Sequence, residues 1–220
     1  MILYPALEYL ITPVSFIGAM VAAICIYILA WKNGIKPVRI ILAGVAVSAF
    51  LSAGISGLMI FYSDRVHGAL MWMVGGLAAR SWPHVSIILP YAVIGVVLAM
   101  ASAAYLNILQ LGDEMARGLG INVEVTRIVL TAIAALLAAS AVSVVGLLGF
   151  VGLVVPHAAR LLVGSDYRYL LPASAFLGIA TLTLSDTFAR VMFAPIELPV
   201  GIIMAFLGAP FFLFLLRREI

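Results

Sequence analysis

The sequence predicts an all-α protein, a polytopic transmembrane helical bundle. Of its 220 residues, 65% are hydrophobic and only 10% are charged, whereas a soluble globular domain carries about 25% charged residues. A chain of this composition could not cover a water-exposed surface with polar groups. Its apolar residues also fall into runs that approach the roughly 20 residues a helix needs to cross a bilayer. Because lipid offers the backbone no hydrogen-bond partners, we expect these runs to be helices.

Seven apolar runs are predicted to form the bundle. Together they make a single transmembrane domain over residues 1–220. They are Leu10–Trp31, Ile40–Tyr62, Val85–Leu106, Ile128–Leu148, Phe150–Val163, Leu170–Val191 and Leu198–Leu216. The fifth run is short, contains Pro156 and follows Gly146, Gly149 and Gly152. Proline cannot donate a helix hydrogen bond, so we expect this segment to be broken or partly re-entrant. Such backbone is tolerated only where protein or a cavity shields it from lipid.

The distribution of cations predicts the orientation of the bundle, because cytoplasmic loops carry an excess of Lys and Arg. Seven crossings put the two termini on opposite sides. The side of the C-terminus holds nine cations, which are Lys32, Lys36, Arg39, Arg117, Arg127, Arg160, Arg168, Arg217 and Arg218. The other side holds three, which are Arg65, Arg80 and Arg190. We therefore expect the N-terminus outside and the C-terminus in the cytoplasm.

Several function classes find no support in the sequence. The histidines His67, His84 and His157 show no metal-ligand spacing, and no catalytic constellation stands out. The Gly-rich stretches lack the Lys and Ser or Thr of a phosphate-binding loop. The net charge of +3 is small and dispersed, which argues against a nucleic-acid partner. A retinal pigment would need a lysine inside a helix, and both lysines lie in a predicted loop.

The longest connection on the predicted outer side is Ser63–His84. Its apolar stretch Leu70–Val74 predicts a short amphipathic helix that lies near the membrane interface. Trp72 within this stretch fits that position, because tryptophan is enriched at membrane interfaces.

A cytoplasmic loop over residues 107–127 interrupts two long apolar runs with charges and glycines. Asp113 and Glu114 stand where a short helix would begin, and Arg117 follows one turn later. This order suits the helix dipole and allows an ion pair within the helix. A charge at the bilayer centre costs about 2.5–3.5 kcal/mol on insertion scales, so the loop should lie in water or against a partner.

The glycines of this loop predict one or two short helices between Gly112 and Asn122. Gly118 and Gly120 each cost about 1 kcal/mol relative to alanine inside a helix, so one long helix is unfavourable. A turn at that point would present Leu119 as an exposed apolar side chain. The residues alone leave two interpretations open, a solvated loop and a docking site for a cytoplasmic partner.

Three ordered stretches resemble the FecCD-type permease family, the membrane subunits of type II ABC importers for iron chelates, haem or cobalamin. Residues 112–120 read GDEMARGLG, similar to the family pattern G-E-x-A-R-x-L-G. Residues 149–174 read GFVGLVVPHAARLLVGSDYRYLLPAS, similar to G-F-x-G-L-x-x-P-H-x-x-R followed by G-x-D-x-R-x-L-L-P. The third stretch contains DTFAR at 186–190, ELPVGI at 197–202 and LGAPFF at 207–212. Family members usually have about ten crossings, so the chain resembles a permease that lacks the first three transmembrane helices.

The resemblance implies a set of partners and places them on the chain. In this family two permeases surround a central pathway, a substrate-loaded binding protein docks outside, and two ATPase subunits that hold ATP and Mg dock inside. The chain itself is then expected to bind no cofactor and to lie as a multi-pass protein in the cell membrane of a prokaryote. A second permease copy is implied, together with a further chain if the missing helices are supplied in trans.

The resemblance also implies roles for individual residues. The expected ATPase contact consists of Gly112, Asp113, Glu114, Arg117, Gly118, Leu119 and Gly120. Arg190 matches the family arginine that pairs with an acidic residue of the binding protein; the simpler alternative is a boundary cation paired with Asp186. Pathway or structural roles are expected for Gly149, Gly152, Pro156 and His157.

Two further interpretations remain open. A secondary transporter or channel would usually carry ionisable groups inside its bundle, and only Asp186 and Glu197 are candidates, both near predicted helix ends. The chain could also be a non-transporting remnant of a split permease. Co-purification with an ATPase subunit would separate these interpretations.

Overall fold

The computed structural model describes residues 10–31, 37–63, 66–78, 80–192 and 197–219. Within these ranges the chain forms ten helices and no strand. The helices are α1 (Ile11–Ala30), α2 (Pro37–Phe61), α3 (Val66–Val74), α4 (Trp82–Ala101), α5 (Ala103–Leu109), α6 (Asp113–Gly118), α7 (Val123–Val145), α8 (Val151–Val163), α9 (Tyr167–Met192) and α10 (Val200–Glu219). The predicted all-α bundle is confirmed.

Every predicted apolar run coincides with a helix. Five helices are long and apolar enough to cross a membrane, namely α1, α2, α4, α7 and α9, and two shorter apolar helices cover Val151–Val163 and Val200–Phe214. The third run was predicted as one helix, but it is divided into α4 and α5 at Ser102. The orientation remains a prediction, and three of its cations, Lys32, Lys36 and Arg65, lie outside the described residues.

Residues with small side chains are buried where the helices pack on one another. Helix α7 packs on α1 and α4, while α8, α9 and α10 pack on one another and α9 also contacts α4 and α5. Ala139 and Ser140 on α7, Ala159 on α8 and Ala189 on α9 are buried. Residues of this size let membrane helices approach closely. The Ser140 hydroxyl donates to the Leu136 carbonyl at 2.7 Å, so burial leaves it a hydrogen-bond partner.

The fifth apolar segment is irregular, as predicted, but the break precedes Pro156. Residues 146–150 are not helical, and Phe150 adopts a left-handed conformation with φ of 64°. Pro156 lies inside α8, which continues through it. The missing proline hydrogen bond is therefore not what interrupts this segment. The expectation that Pro156 breaks the helix was wrong.

The irregular segment 146–150 runs alongside α10, away from the first turn of that helix. Gly146 lies against the backbone of α3, whose C-terminal end contacts Gly201, and Phe150 packs on Gly208. Gly208 is seven residues beyond Gly201, about 10 Å along the helix. Measured along α10, helix α8 therefore starts about 10 Å farther from the α3 end of the bundle than the point at which α7 ends. Its 13 residues add about 20 Å, which brings the whole segment close to the roughly 30 Å of a bilayer core.

The predicted short helix of the outer connection is present as α3, but it is bonded into the bundle rather than lying free at the interface. The Gly76 amide donates to the Val145 carbonyl at 2.8 Å, and the Gly201 amide donates to the Gly75 carbonyl at 3.2 Å. The end of α3 thus joins the end of α7 to the start of α10. Side chains at Gly75 or Gly201 would collide with the facing backbone, so glycine permits this approach.

Candidate functional site

The coupling loop, predicted over residues 107–127, begins with the last turn of α5 and ends with the first turn of α7. Between these two helices it contains one short helix and two tight turns. Gly112 has a φ of 95° and ends the turn after α5. Helix α6 follows with Asp113 and Glu114 in its first turn and Arg117 in its last, which places each charge favourably for the helix dipole. The predicted short helix is confirmed.

A complete C-terminal capping motif ends α6. The Gly120 amide donates to the Arg117 carbonyl at 2.9 Å, and the Ile121 amide donates to the Ala116 carbonyl at 3.1 Å. This pair of bonds needs a left-handed residue after the helix, and Gly120 supplies it with a φ of 82°. Gly118, in contrast, is the last helical residue. Of the two predicted glycines, only Gly120 makes the turn.

The next helix, α7, begins at Val123, so only Ile121 and Asn122 lie between it and Gly120. Asn122 precedes α7, and its side-chain oxygen accepts a hydrogen bond from the Val125 amide at 3.2 Å. Such an N-cap satisfies a backbone donor that has no partner inside the helix. The path from Gly112 to Asn122 is therefore fixed at both turns by backbone geometry.

Three apolar side chains of this loop are exposed, and we call them the docking stripe: Leu111, Met115 and Leu119. Their exposed fractions are 58%, 62% and 60%, while the intervening Ala116 is fully buried. Leu119 was predicted as an exposed side chain, but Leu111 and Met115 were missed. Their spacing of four residues was the signal in the sequence. Exposed apolar side chains on a loop between membrane helices indicate a binding surface.

An ion pair holds α6 against α7. Asp113 Oδ1 lies 2.6 Å from Arg127 Nη2, so the acid at the start of α6 pairs across the turn. The sequence allowed a pair within α6, between Arg117 and Asp113 or Glu114. No such pair joins these residues in the described part of the chain. Glu114 and Arg117 are instead exposed beside the docking stripe.

A polar recess of about 410 Å³ opens beside α6. Its lining residues are Arg117, Gly120, Ile121, Asn122, Val123 and Glu124. The recess carries a cation and an anion at its rim. It lies beside the docking stripe, because Arg117 and Gly120 line it on either side of Leu119 in the sequence.

A second set of polar contacts joins α5 to the start of α9. Asn107 Nδ2 donates to Asp166 Oδ1 at 2.6 Å, and the Tyr167 amide donates to Asn107 Oδ1 at 2.9 Å. The Arg168 amide donates to Asp166 Oδ1 at 2.9 Å. The hydrogen bond from this amide, followed by that from Asn107, lowers the pKa of the Asp166 carboxyl, so it is ionised at neutral pH. Sequence reasoning assigned no role to either side chain.

Arg190 lies in the last turn of α9, at the end opposite the coupling loop. Its Nε atom is 2.8 Å from Asp186 Oδ2, and 43% of its side chain is exposed. The ion pair of the simpler alternative is therefore present. It engages one atom of the guanidinium and leaves much of the side chain accessible, so a docking role stays open.

The residues expected along the pathway are dispersed over the irregular segment and α8. Pro156 and His157 are half-buried on α8, whereas Gly149 and Gly152 are exposed. No described atom lies near the position where a side chain would begin at either glycine. Within the described ranges, no group of three or more His, Cys, Asp or Glu residues could hold a metal ion.

Comparisons with known proteins extend over almost the whole chain. Residues 1–218 match the FecCD transport family. The chain is 42% identical over 206 residues to the iron(3+)-hydroxamate import system permease protein FhuG of Bacillus subtilis, an alignment that covers 91% of this chain and 60% of the relative. It is 45% identical over 212 residues to the cobalamin import system permease protein BtuC of Halobacterium salinarum, with coverages of 96% and 57%.

A solved structure is also similar. It shows an inward-facing conformation of an ABC transporter of the metal-chelate type, with a TM-score of 0.86 and 26% sequence identity. The match covers 95% of this chain and 67% of the other. The chain thus spans about 60% of the length of the two curated relatives it matches.

Proposed function

The chain belongs to the FecCD transport family, and we propose that it is the membrane-spanning permease subunit of an ABC importer. Its substrate would be an iron chelate, haem or cobalamin, the classes named in relatives that import iron(3+)-hydroxamate, hemin and cobalamin. Transport would cross the cytoplasmic membrane of a prokaryote. A separate ATPase subunit would hold ATP and Mg, and this chain would hydrolyse nothing.

The docking stripe is the observation that carries this proposal. Met115 is exposed on a helix of six residues, and Leu119 is exposed at its C-terminal cap. A helix this short is marginal in isolation, yet two glycine turns and the Asp113–Arg127 pair fix it in place. A rigid apolar surface with charges at its edge has the form of a protein interface. The ATPase subunit is the partner that we assign to it.

Two other partners, a substrate-binding protein and a second permease copy, would contact other surfaces of the chain. Arg190 stands at the opposite end of α9, where an acidic residue of a substrate-binding protein would meet its exposed guanidinium. A second permease copy would complete the pathway across the membrane. Many large apolar side chains on α1, α2 and α4 are exposed, as expected where helices meet lipid or another membrane subunit.

In this mechanism ATP binding moves α6 as one body. Closure of two ATPase subunits would displace the docking stripe, and the ion pair to Arg127 would pass the displacement to α7. The outer end of α7 is bonded to α3 and, through it, to α10. A movement of α7 would therefore reach the outer face of the bundle, which is the requirement for alternating access.

A secondary transporter is the competing interpretation, and the environment of Asp186 weighs against it. Its carboxylate is paired with Arg190 near the end of α9. A carboxylate in an ion pair at a helix end is poorly placed to carry protons or cations through the bundle.

ATP-driven uptake into vesicles tests the proposal. The protein is reconstituted with its ATPase and binding protein, and a ferric hydroxamate, ferric citrate, haemin and cobalamin are offered in parallel. We expect uptake of one of these compounds only when hydrolysable ATP is present. Uptake that follows an imposed proton gradient and ignores ATP would contradict the proposal and favour a secondary transporter.

A further inference from the structure

Asn107 caps the first turn of α9 from a different helix. The first amides of an α-helix have no acceptor within it. Asn107 Oδ1 accepts from the Tyr167 amide at 2.9 Å, and Asp166 accepts from the Arg168 amide at 2.9 Å. Asn107 Nδ2 then donates to the Asp166 carboxylate at 2.6 Å. The start of α9 is thus closed by two side chains, one of which belongs to α5.

A second hydrogen bond holds the same two segments together. Gln110 Nε2 donates to the Ser165 carbonyl at 3.3 Å, one turn beyond Asn107. Helix α5 also packs directly on α9. The seven residues of α5 are therefore attached to the start of α9 at two polar points and along their side.

The connection of α5 to α4 departs from helical geometry at a single residue. Ser102 separates the two helices and has a ψ of −1°, whereas an α-helix has a ψ of about −42°. Its hydroxyl donates to the Leu98 carbonyl at 2.7 Å, a bond that competes with the backbone ladder and bends helices. The backbone bonds on either side persist, from the Ser102 amide to the Leu98 carbonyl at 3.0 Å and from the Leu106 amide to the Ser102 carbonyl at 3.1 Å. Any change of direction between α4 and α5 would therefore occur at this one residue.

We propose that Asn107 is a positioning residue that makes α5 move with α9, so that a displacement of α6 is passed to α9. The inference rests on the proposed function, in which α6 receives the ATPase. Only the segment from Gln110 to Gly112 separates α5 from α6. Helix α9 then extends about 35 Å from Tyr167 to Arg190, which connects the ATPase side to the side of the binding protein.

The chemistry of this contact accounts for the residue type. Position 107 must accept from one amide and donate to a carboxylate, and a carboxamide does both. Aspartate at 107 would keep the acceptor, lose the donor and place a second negative charge against Asp166. Exchange of the two residues would restore one donor and one acceptor between the side chains, because asparagine at 166 can donate to aspartate at 107. It would give up the bond from the Arg168 amide, because the same atom, Asp166 Oδ1, accepts from both Asn107 and Arg168.

The test compares Asn107→Asp, Asp166→Asn and the double exchange in the reconstituted full complex. The readout is substrate transported per ATP hydrolysed, together with co-purification of the ATPase. We expect Asn107→Asp to lower the transport ratio about fivefold, as the loss of one hydrogen bond of about 1 kcal/mol would, without loss of the ATPase. The Asp166→Asn variant keeps an oxygen that accepts from Asn107 and from the Arg168 amide, so its transport ratio should stay near the wild-type value. The double exchange should recover part of the lost ratio.

Three outcomes would overturn the inference. They are an unchanged ratio in Asn107→Asp, a loss of the ATPase equal to the loss of transport, and a double exchange that recovers nothing. Asn107→Ala, which introduces no charge, replaces Asn107→Asp if that variant does not fold, and an unchanged ratio there has the same meaning. A wild-type complex without ATP-driven uptake would instead refute the proposed function, and the inference would fall with it.

Discussion

Asp113 and Arg127 form an ion pair of 2.6 Å that joins the first residue of α6 to α7. The two residues are separated by the left-handed turn at Gly120. Their contact therefore depends on that turn, and it sets the angle at which α6 lies on α7. Backbone capping and this ion pair therefore act together to hold α6 in its position.

We predict that Arg127→Ala loosens α6 without unfolding the bundle. Both partners are partly exposed, and pairs of this kind contribute about 0.2–1 kcal/mol. ATPase affinity should therefore fall by a few-fold only, and amide exchange in α6 should become faster. The double variant Asp113→Arg with Arg127→Asp should return both values toward wild type. Equal exchange rates in Arg127→Ala and wild type would show that the pair does not hold α6.

Gly120 and Gly118 should respond in opposite ways to alanine. Gly120 has a left-handed backbone, which costs an L-residue about 1–2 kcal/mol, so Gly120→Ala should weaken the cap and accelerate amide exchange in α6. Gly118 is helical with open space around it, and alanine there is favoured by about 1 kcal/mol. Hydrogen exchange measured on the two variants separates them. Faster exchange in Gly118→Ala than in Gly120→Ala would contradict the capping geometry.

Gly201 should be intolerant of any side chain. An added methyl group would collide with the Val74 carbonyl at the junction of α3 and α10, and overpacking of this kind costs about 1–3 kcal/mol. Gly201→Ala should therefore lower the melting temperature of the purified protein. Gly54→Ala, on α2 with no described atom nearby, is the matched control and should melt at or above the wild-type temperature. Equal melting temperatures would mean that α3 is not held by this junction.

Arg190→Glu should weaken capture of the substrate-loaded binding protein by roughly tenfold, because it reverses a charge at the interface. It should leave assembly with the ATPase intact. Arg190→Lys keeps the charge and should lose much less affinity. The measurement is the binding-protein affinity in reconstituted membranes. An affinity that is the same in all three proteins would identify Arg190 as a boundary cation whose partner is Asp186 alone.

The helices and the coupling loop were predictable because both depend on local sequence. Apolar runs specify membrane helices, and the charges and glycines of residues 112–120 specify a short helix with a turn. The break in the fifth segment was also signalled by glycine, but its position was not. Pro156 is tolerated within α8, whereas Phe150 takes a left-handed conformation against Gly208, a contact between segments that are distant in sequence.

The polar contacts could not be predicted for the same reason. Arg127 reaches Asp113 only after the chain has turned at Gly120, so the nearer Arg117 was the natural expectation. Asn107 and Asp166 are 59 residues apart, and no local pattern connects them. The spacing of Leu111, Met115 and Leu119 was visible in the sequence, but their exposure depends on how α6 lies on α7.

We propose that the coupling loop binds a separate ATPase subunit, and co-purification tests this binding most directly. The variant Leu119→Asp with Arg117→Glu places charge in the docking stripe and reverses the cation beside it. Leu119→Met keeps an apolar side chain, and Arg217→Glu reverses an exposed arginine near the end of α10; both serve as controls. We predict that the double variant remains a folded membrane protein but loses the ATPase, while both controls retain it. If the double variant still co-purifies with the ATPase and still stimulates its turnover, this loop is not the coupling site.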